Sequence, residues 1–333
     1  MKLVVGSNGS LECTSAIANA SDGSVSEIYL SVKDSKYSSG RPNVVDLDID
    51  HLGEHVEVSR KNGINITVAF NAVCYSGRET LPSFEREYCG FLESISSQGV
   101  DRIILAHPVL IGLTKRLIPE MHVSVSSFNR VDNKIRVSYF GEMGADRIIL
   151  AAELNRKTNE LGRIVEDNPD LEFEVILNNG CNYYCPLEYF HDSSQSHMHE
   201  FQEERSEHYP AECTKQLLAE PWTILLSPFI RPEDVSKYEE LGVDLFKIAG
   251  RNLHEDWIVN VVRAYQERNF EGDLMTLLNR SFRALQKAGS QVAIPNQELG
   301  GFLEQIDGYE DYDKACKQCE ELYERIKNKE YTE

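Results

Sequence analysis

The sequence predicts a TIM-like (β/α)8 barrel of the α/β class, followed by a helical C-terminal extension. Three observations predict it. A segment repeats: Gly99-Val100-Asp101-Arg102-Ile103-Ile104-Leu105-Ala106 recurs 45 residues later as Gly144-Ala145-Asp146-Arg147-Ile148-Ile149-Leu150-Ala151, and more loosely as Gly242–Ala249. In each copy the glycine ends a helix, and the apolar run after the aspartate is a strand buried on both faces. Eight such runs alternate with helix-patterned segments. No G-x-G-x-x-G motif opens a first helix, which favours a closed barrel over an open doubly wound sheet.

The expected strands are Leu3–Gly6, Ser26–Val32, Ile66–Phe70, Arg102–Ala106, His122–Ser126, Arg147–Ala151, Phe173–Leu177 and Leu245–Ile248. Between them the expected helices are Leu52–Asn62, Ser83–Gln98, Ile111–Ile118, Lys134–Met143, Arg156–Asp167 and Pro232–Leu241. Trp222–Leu226 is also strand-like and is expected to pair at a rim. The polar segment 186–212 carries His191, His197, His199 and His208. It follows the seventh strand, on the face where barrel loops carry chemistry, and its length suits a lid or binding loop. The barrel thus spans 1–255. Residues 256–333 are expected as helices packed outside it, with amphipathic stretches at Trp257–Arg268, Leu277–Lys287 and Leu303–Lys329.

Composition sets limits on partners. Of 333 residues, 41% are apolar and 26% charged, as in soluble globular proteins. No run of 18 apolar residues exists and the N-terminus reads as a strand, so a cytoplasmic protein without a membrane span is expected. Fifty-four acidic residues against 34 basic ones give a net charge of −20. Phosphate backbones are bound through Lys and Arg, and no basic run appears; nucleic acid is disfavoured as substrate.

Eight cysteines in a cytosolic chain are expected as reduced thiols, some of them ligands. The strand Phe173–Leu177 runs through Asn178-Asn179-Gly180 into Cys181, with Cys185 four residues on and Cys213 28 residues beyond that. Three thiolates there can converge on one soft centre, an iron–sulfur cluster or zinc. Cys74, past the third strand on the same face, is the candidate fourth ligand; a histidine of the 186–212 segment would give a Cys3His zinc site instead. Cys13 and Cys89 read as packed thiols, and Cys316-x-x-Cys319 as a helix pair without ligand partners.

Other residues at strand ends suit substrate chemistry. Lys247 and Arg251 flank the end of the eighth strand, where they either clamp a carboxylate or form an ion pair fixing strand to loop. Glu153 could serve as a base if burial raises its pKa. His107 could shuttle a proton. Asn71 and Asn129 could orient a substrate, though Asn129 fits better as a helix cap. Arg41 could meet an acidic substrate. Tyr183 and Tyr184 would shield a cluster from water, and either, Tyr184 included, could stack on an aromatic substrate. No G-x-S-x-G elbow or H-E-x-x-H motif supports a peptidase.

These residues resemble the collagenase-like peptidase family U-32 over roughly residues 1–270. The carriers are Glu174–Cys185, Leu150-Ala151-Ala152-Glu153-Leu154, and Leu226-Ser227-Pro228-Phe229-Ile230-Arg231-Pro232-Glu233-Asp234-Val235 leading to Gly242–Arg251, with Tyr265 beyond. The resemblance implies an incomplete or distorted TIM-type barrel with a 4Fe-4S cluster on cysteines. It also implies oxygen-independent hydroxylation: relatives act on a tRNA uridine, a ribosomal RNA cytidine or the ubiquinone ring, with prephenate as hydroxyl source in some. RNA-acting relatives tend to carry extra C-terminal domains, whereas the quinone proteins are of single-barrel size and work as a pair. The short build and acidic charge place this chain nearer the small-molecule branch. The alternatives are a non-catalytic cluster-bearing subunit beside a protein partner, and a metal-dependent peptidase. Two departures stand out. Ala152 and Ala249 stand where the family often has Arg and Glu, and Cys-x3-Cys is tighter than usual. Losing both members of an ion pair can be neutral where losing one is costly.

Overall fold

In a computed structural model describing residues 1–33, 39, 45–197, 208–279, 292–306 and 311–329, the three repeated glycines end their helices alike. Gly99, Gly144 and Gly242 have φ of +86°, +89° and +87°, a left-handed conformation that glycine adopts at little cost. The next residue donates its N–H back five positions: Val100 to Ile95, Ala145 to Phe140 and Val243 to Tyr238. This closure satisfies a terminal carbonyl and turns the chain into the following strand.

The strands are β1 (Lys2–Gly6), β2 (Val25–Leu30), β3 (Asn65–Phe70), β4 (Arg102–Leu105), β5 (His122–Val125), β6 (Arg147–Ile149), β7 (Glu172–Ile176) and β8 (Leu245–Ile248). All pair in parallel with their sequence neighbours, and β8 pairs with β1, so the barrel closes. Helices α1 (Leu11–Ala20), α2 (Leu52–Lys61), α3 (Pro82–Ser97), α4 (Pro108–Leu117), α5 (Lys134–Glu142) and α6 (Thr158–Asp167) fill the successive connections. The β7–β8 connection holds α7 (Glu188–Ser196), α8 (His208–Ala219) and α9 (Val235–Glu240). After β8 come α10 (Glu255–Glu267), α11 (Phe302–Ile306) and α12 (Tyr312–Ile326).

One expected strand is overturned. Trp222–Leu226 lies within a 3-10 helix, Pro221–Leu226. Proline at its start withholds an N–H, and the eight strands already pair all round, leaving no edge for a ninth. The amphipathic stretch Leu277–Lys287 starts at the last residue of a short 3-10 turn, Leu274–Leu277; its remainder from 280 lies outside the described residues, as do 198–207 of the polar segment.

Two apolar layers flank the strands. The larger joins strands to helices; the smaller, inside the barrel, gathers Val4, Tyr29, Ala69, Ile104, Ile149, Ile176 and Leu245. Beside that inner layer sits an ionic one that sequence patterning did not reveal. Arg147 Nη1 donates to both oxygens of Glu27 at 3.0 Å and to Glu174 Oε2 at 3.1 Å, and its Nε to Glu172 Oε2 at 2.8 Å. Lys247 Nζ donates to the other oxygen of Glu174 at 2.9 Å. Burial opposes the Arg147 charge, but the three carboxylates outweigh it and raise its pKa. Paired charges of this kind are what a closed interior tolerates.

Candidate functional site

Strand alternation carries Tyr29, Ile149, Ile176 and Lys247 towards the C-terminal mouth, where the loops enclose a cavity of about 90 Å³. Its wall includes Asn71, Ser126, Arg130, Glu153, Asn179, Cys181, Glu188, Arg251, Asn252 and Asn279. Lys247 is ion-paired to Glu174 of β7, and it faces the cavity with Nζ 3.8 Å from the Tyr29 ring centroid. The Arg251 guanidinium lies 5.7 Å from the same ring. Its Nη2 donates to Ser39 Oγ at 2.6 Å. Asn71 is fixed on both sides, accepting from Ser39 at 3.1 Å and donating to Ser126 Oγ at 3.2 Å. Two cations beside one aromatic ring, with the Asn71 amide fixed next to them, are groups suited to receiving an anion.

Glu153 faces them from the turn Ala152–Arg156, 9% exposed. Burial and the Glu188 charge raise its pKa, against the pull of Arg130. Arg130 is anchored to Glu188 at 3.1 Å and Asp192 at 2.9 Å. It holds φ +47°, uncommon for a side chain of this size. Glu153 therefore retains its proton to higher pH than an ordinary carboxyl and can give or take one inside the cavity. Ala152 and Ala249 both line this cavity.

The Cys185 and Cys213 thiols hydrogen-bond to one another, and that contact, with burial, raises the pKa of Cys185. Cys181 donates its N–H to Asn179 Oδ1 at 2.8 Å and stands on the cavity wall. Two half-buried sulfurs in contact fit part of a soft-metal donor set. Among the described residues, no group of three or more His, Cys, Asp or Glu side chains is assembled as ligands. Cys74 lies in the turn after β3, its Sγ accepting from Ser76 N–H at 3.5 Å. His191 stacks on Tyr209 at 5.5 Å and His208 meets that ring edge-on at 5.2 Å; His199 lies outside the described residues. Cys319 is buried in α12 and Cys316 touches Tyr312, as packed thiols do.

Other expected residues sit elsewhere. His107 does not line the cavity: it packs edge-on against Tyr75 at 5.6 Å with Nε2 3.8 Å from Glu79, and burial lowers its pKa. Asn129 is not the cap of α5. Its Nδ2 donates back to Ser126 O, while Asn133 Oδ1 accepts from Ile135 and Arg136 N–H at 3.1 and 3.2 Å. Tyr183 is buried, but Tyr184 is 53% exposed, edge-on to Tyr183 and 5.6 Å from Lys157 Nζ, and does not line the cavity. Arg41 lies outside the described residues. Sequence reasoning missed Arg130, Asn179 and Asn279. The first two follow strand ends, the position from which barrel enzymes draw their sites; nothing local marks Asn279.

A closed parallel barrel with a charged, thiol-bearing cavity at the C-terminal ends of its strands defines the class: a TIM-barrel protein with its site at the mouth. The chain belongs to Peptidase family U32, which matches residues 9–271. It is 28% identical to an uncharacterized protease of Methanocaldococcus jannaschii, over 88% of this chain and 86% of that protein. It is 25% identical to tRNA hydroxylation protein P1 of Bacillus subtilis over 68% of this chain, a match spanning 54% of that relative's length. Protein P2 of the same organism is 25% identical over 64% of this chain and 70% of its own length. A solved U32 peptidase structure superposes with a TM-score of 0.57 at 16% identity, covering 75% of this chain and 93% of that one. Among the described residues no helix is long and apolar enough to cross a membrane.

Proposed function

We propose that the chain binds a 4Fe-4S cluster through Cys181, Cys185 and Cys213, with Cys74 or a histidine of the 186–212 segment as fourth ligand. Beside it, the cavity hosts an oxygen-independent hydroxylation, or a related redox-neutral group transfer, on a small molecule. The observation that carries this reading is the place of Cys181. It stands four residues before the thiol-paired Cys185 and on the wall of the cavity that holds Lys247, Arg251 and Glu153. When bound, the cluster would supply one-electron redox chemistry at its irons, held by the cysteine thiolates. The protein's own groups do the rest. Lys247 and Arg251 hold the carboxylate of an oxygen donor such as prephenate, Asn71 fixes Arg251, and Glu153 moves a proton.

A second reading, with a tRNA base as substrate, is favoured by the similarity to the two tRNA hydroxylation proteins. The charge of −20 weighs against it, since an RNA backbone needs cations. Anaerobic purification with metal and sulfide analysis tests the proposal. We expect iron and acid-labile sulfide in near-equal amounts, lost in Cys185→Ala and Cys213→Ala. A colourless zinc protein would overturn it.

A further inference from the structure

We infer that Asn179 and Asn279 form an oxyanion site on the β7–β8 side of the cavity, one half of it supplied by the C-terminal extension. The orientation of both amides follows from backbone donors. The Cys181 N–H can donate only to the oxygen of Asn179, at 2.8 Å, and the Gly180 N–H only to the oxygen of Asn279, at 3.2 Å. Each side-chain carbonyl is therefore tied to the loop, and each Nδ2 amine is left without a protein acceptor among the described residues. Both residues line the cavity, as do Lys247 and Arg251. The Glu188 carboxylate, which also lines the cavity, is engaged by Arg130. The two amides thus stand in one cavity with Arg251 and with Lys247, whose charge is shared with Glu174, a donor set suited to a bound oxyanion.

Asn279 reaches this position through a chain of contacts of its own. Its N–H donates to Asn178 O at 2.9 Å, and Asn178 Nδ2 donates to Leu277 O at 3.2 Å and to Ala249 O at 2.8 Å. The extension is thus stitched across the ends of β7 and β8. It lies beyond residue 271, where the family match ends. The ligand class is a carboxylate or a phosphate ester. The inference rests on the reading of the cavity as a binding site.

The test is calorimetric titration of the anaerobically purified chain with sodium benzoate and, separately, inorganic phosphate. Wild type is compared with Asn179→Asp, Asn279→Asp and Arg251→Ala. Aspartate keeps the oxygen that accepts from the loop, so the fold is retained, and it replaces the amine with a repelling oxygen. Each Asn→Asp change is expected to weaken anion binding about tenfold or more, the loss of one hydrogen bond to a charged group. Tighter binding of benzoate assigns a carboxylate, and tighter binding of phosphate assigns an ester; either supports the site. If both Asp variants bind like wild type while Arg251→Ala loses binding, the amide site is wrong and the cavity reading stands. If wild type binds neither anion, both fall.

Discussion

At the residue scale the most informative group is Glu153, a carboxyl facing a cavity with its pKa raised by burial and by Glu188. In the unfolded chain it titrates near 4.5. Between that value and its raised folded value the folded state binds more protons, so stability falls as pH rises through this window. Glu153→Gln removes the decline. Its melting temperature relative to wild type should climb from pH 5 to pH 8; a constant difference would show that Glu153 titrates normally. The sequence made this position legible because a carboxylate at a strand's C-terminal end is a recognisable signal. It misassigned Asn129 because two asparagines, at 129 and 133, compete for one cap, and only the start of α5 decides between them. It also left His107 open, since a histidine before Pro108 reads the same whether it enters the mouth or, as here, packs on Tyr75.

At the scale of elements, the glycine-ended repeat made the barrel readable, because each Gly-x-Asp unit fixes a helix end and a strand start together. Trp222–Leu226 was not readable. Five consecutive apolar or β-branched residues fit a buried strand or a buried 3-10 turn equally, and closure of the sheet settles the matter only in three dimensions. The attachment of the extension to β7 and β8 was equally hidden, for it depends on one buried asparagine. Asn178 makes side-chain hydrogen bonds to Ala249 N, Ala249 O and Leu277 O. Asn178→Ala should cost about 2–3 kcal/mol in urea denaturation and speed amide exchange at Leu277 and Asn279. Unchanged exchange there would mean the segment is held by other contacts.

Across the whole molecule, the barrel is held by apolar layers and by an ionic core linking β2, β6, β7 and β8. Sequence patterning treated those strands as uniformly apolar. The alternation Glu172-Phe173-Glu174-Val175 carried the contrary signal, since every second residue of a barrel strand points inward. Arg147→Met would leave Glu27 beside Glu174 with only Arg102, 3.8 Å away, and should cost up to about 3–5 kcal/mol in a denaturant titration, part of it recovered by adding Glu27→Gln. Equal stability of Arg147→Met and wild type would make the network incidental. Lys247 ends this network and opens on the cavity, which ties the stability of the barrel to the geometry of its mouth.

The central claim is that the sulfurs at the mouth hold iron. Crystals grown without oxygen and measured at the iron absorption edge test it most directly. The account predicts an anomalous peak within about 2.3 Å of the sulfurs of Cys185 and Cys213, the usual metal–thiolate distance, extending towards Cys181. Clear density for both thiols with no anomalous signal between them would contradict it.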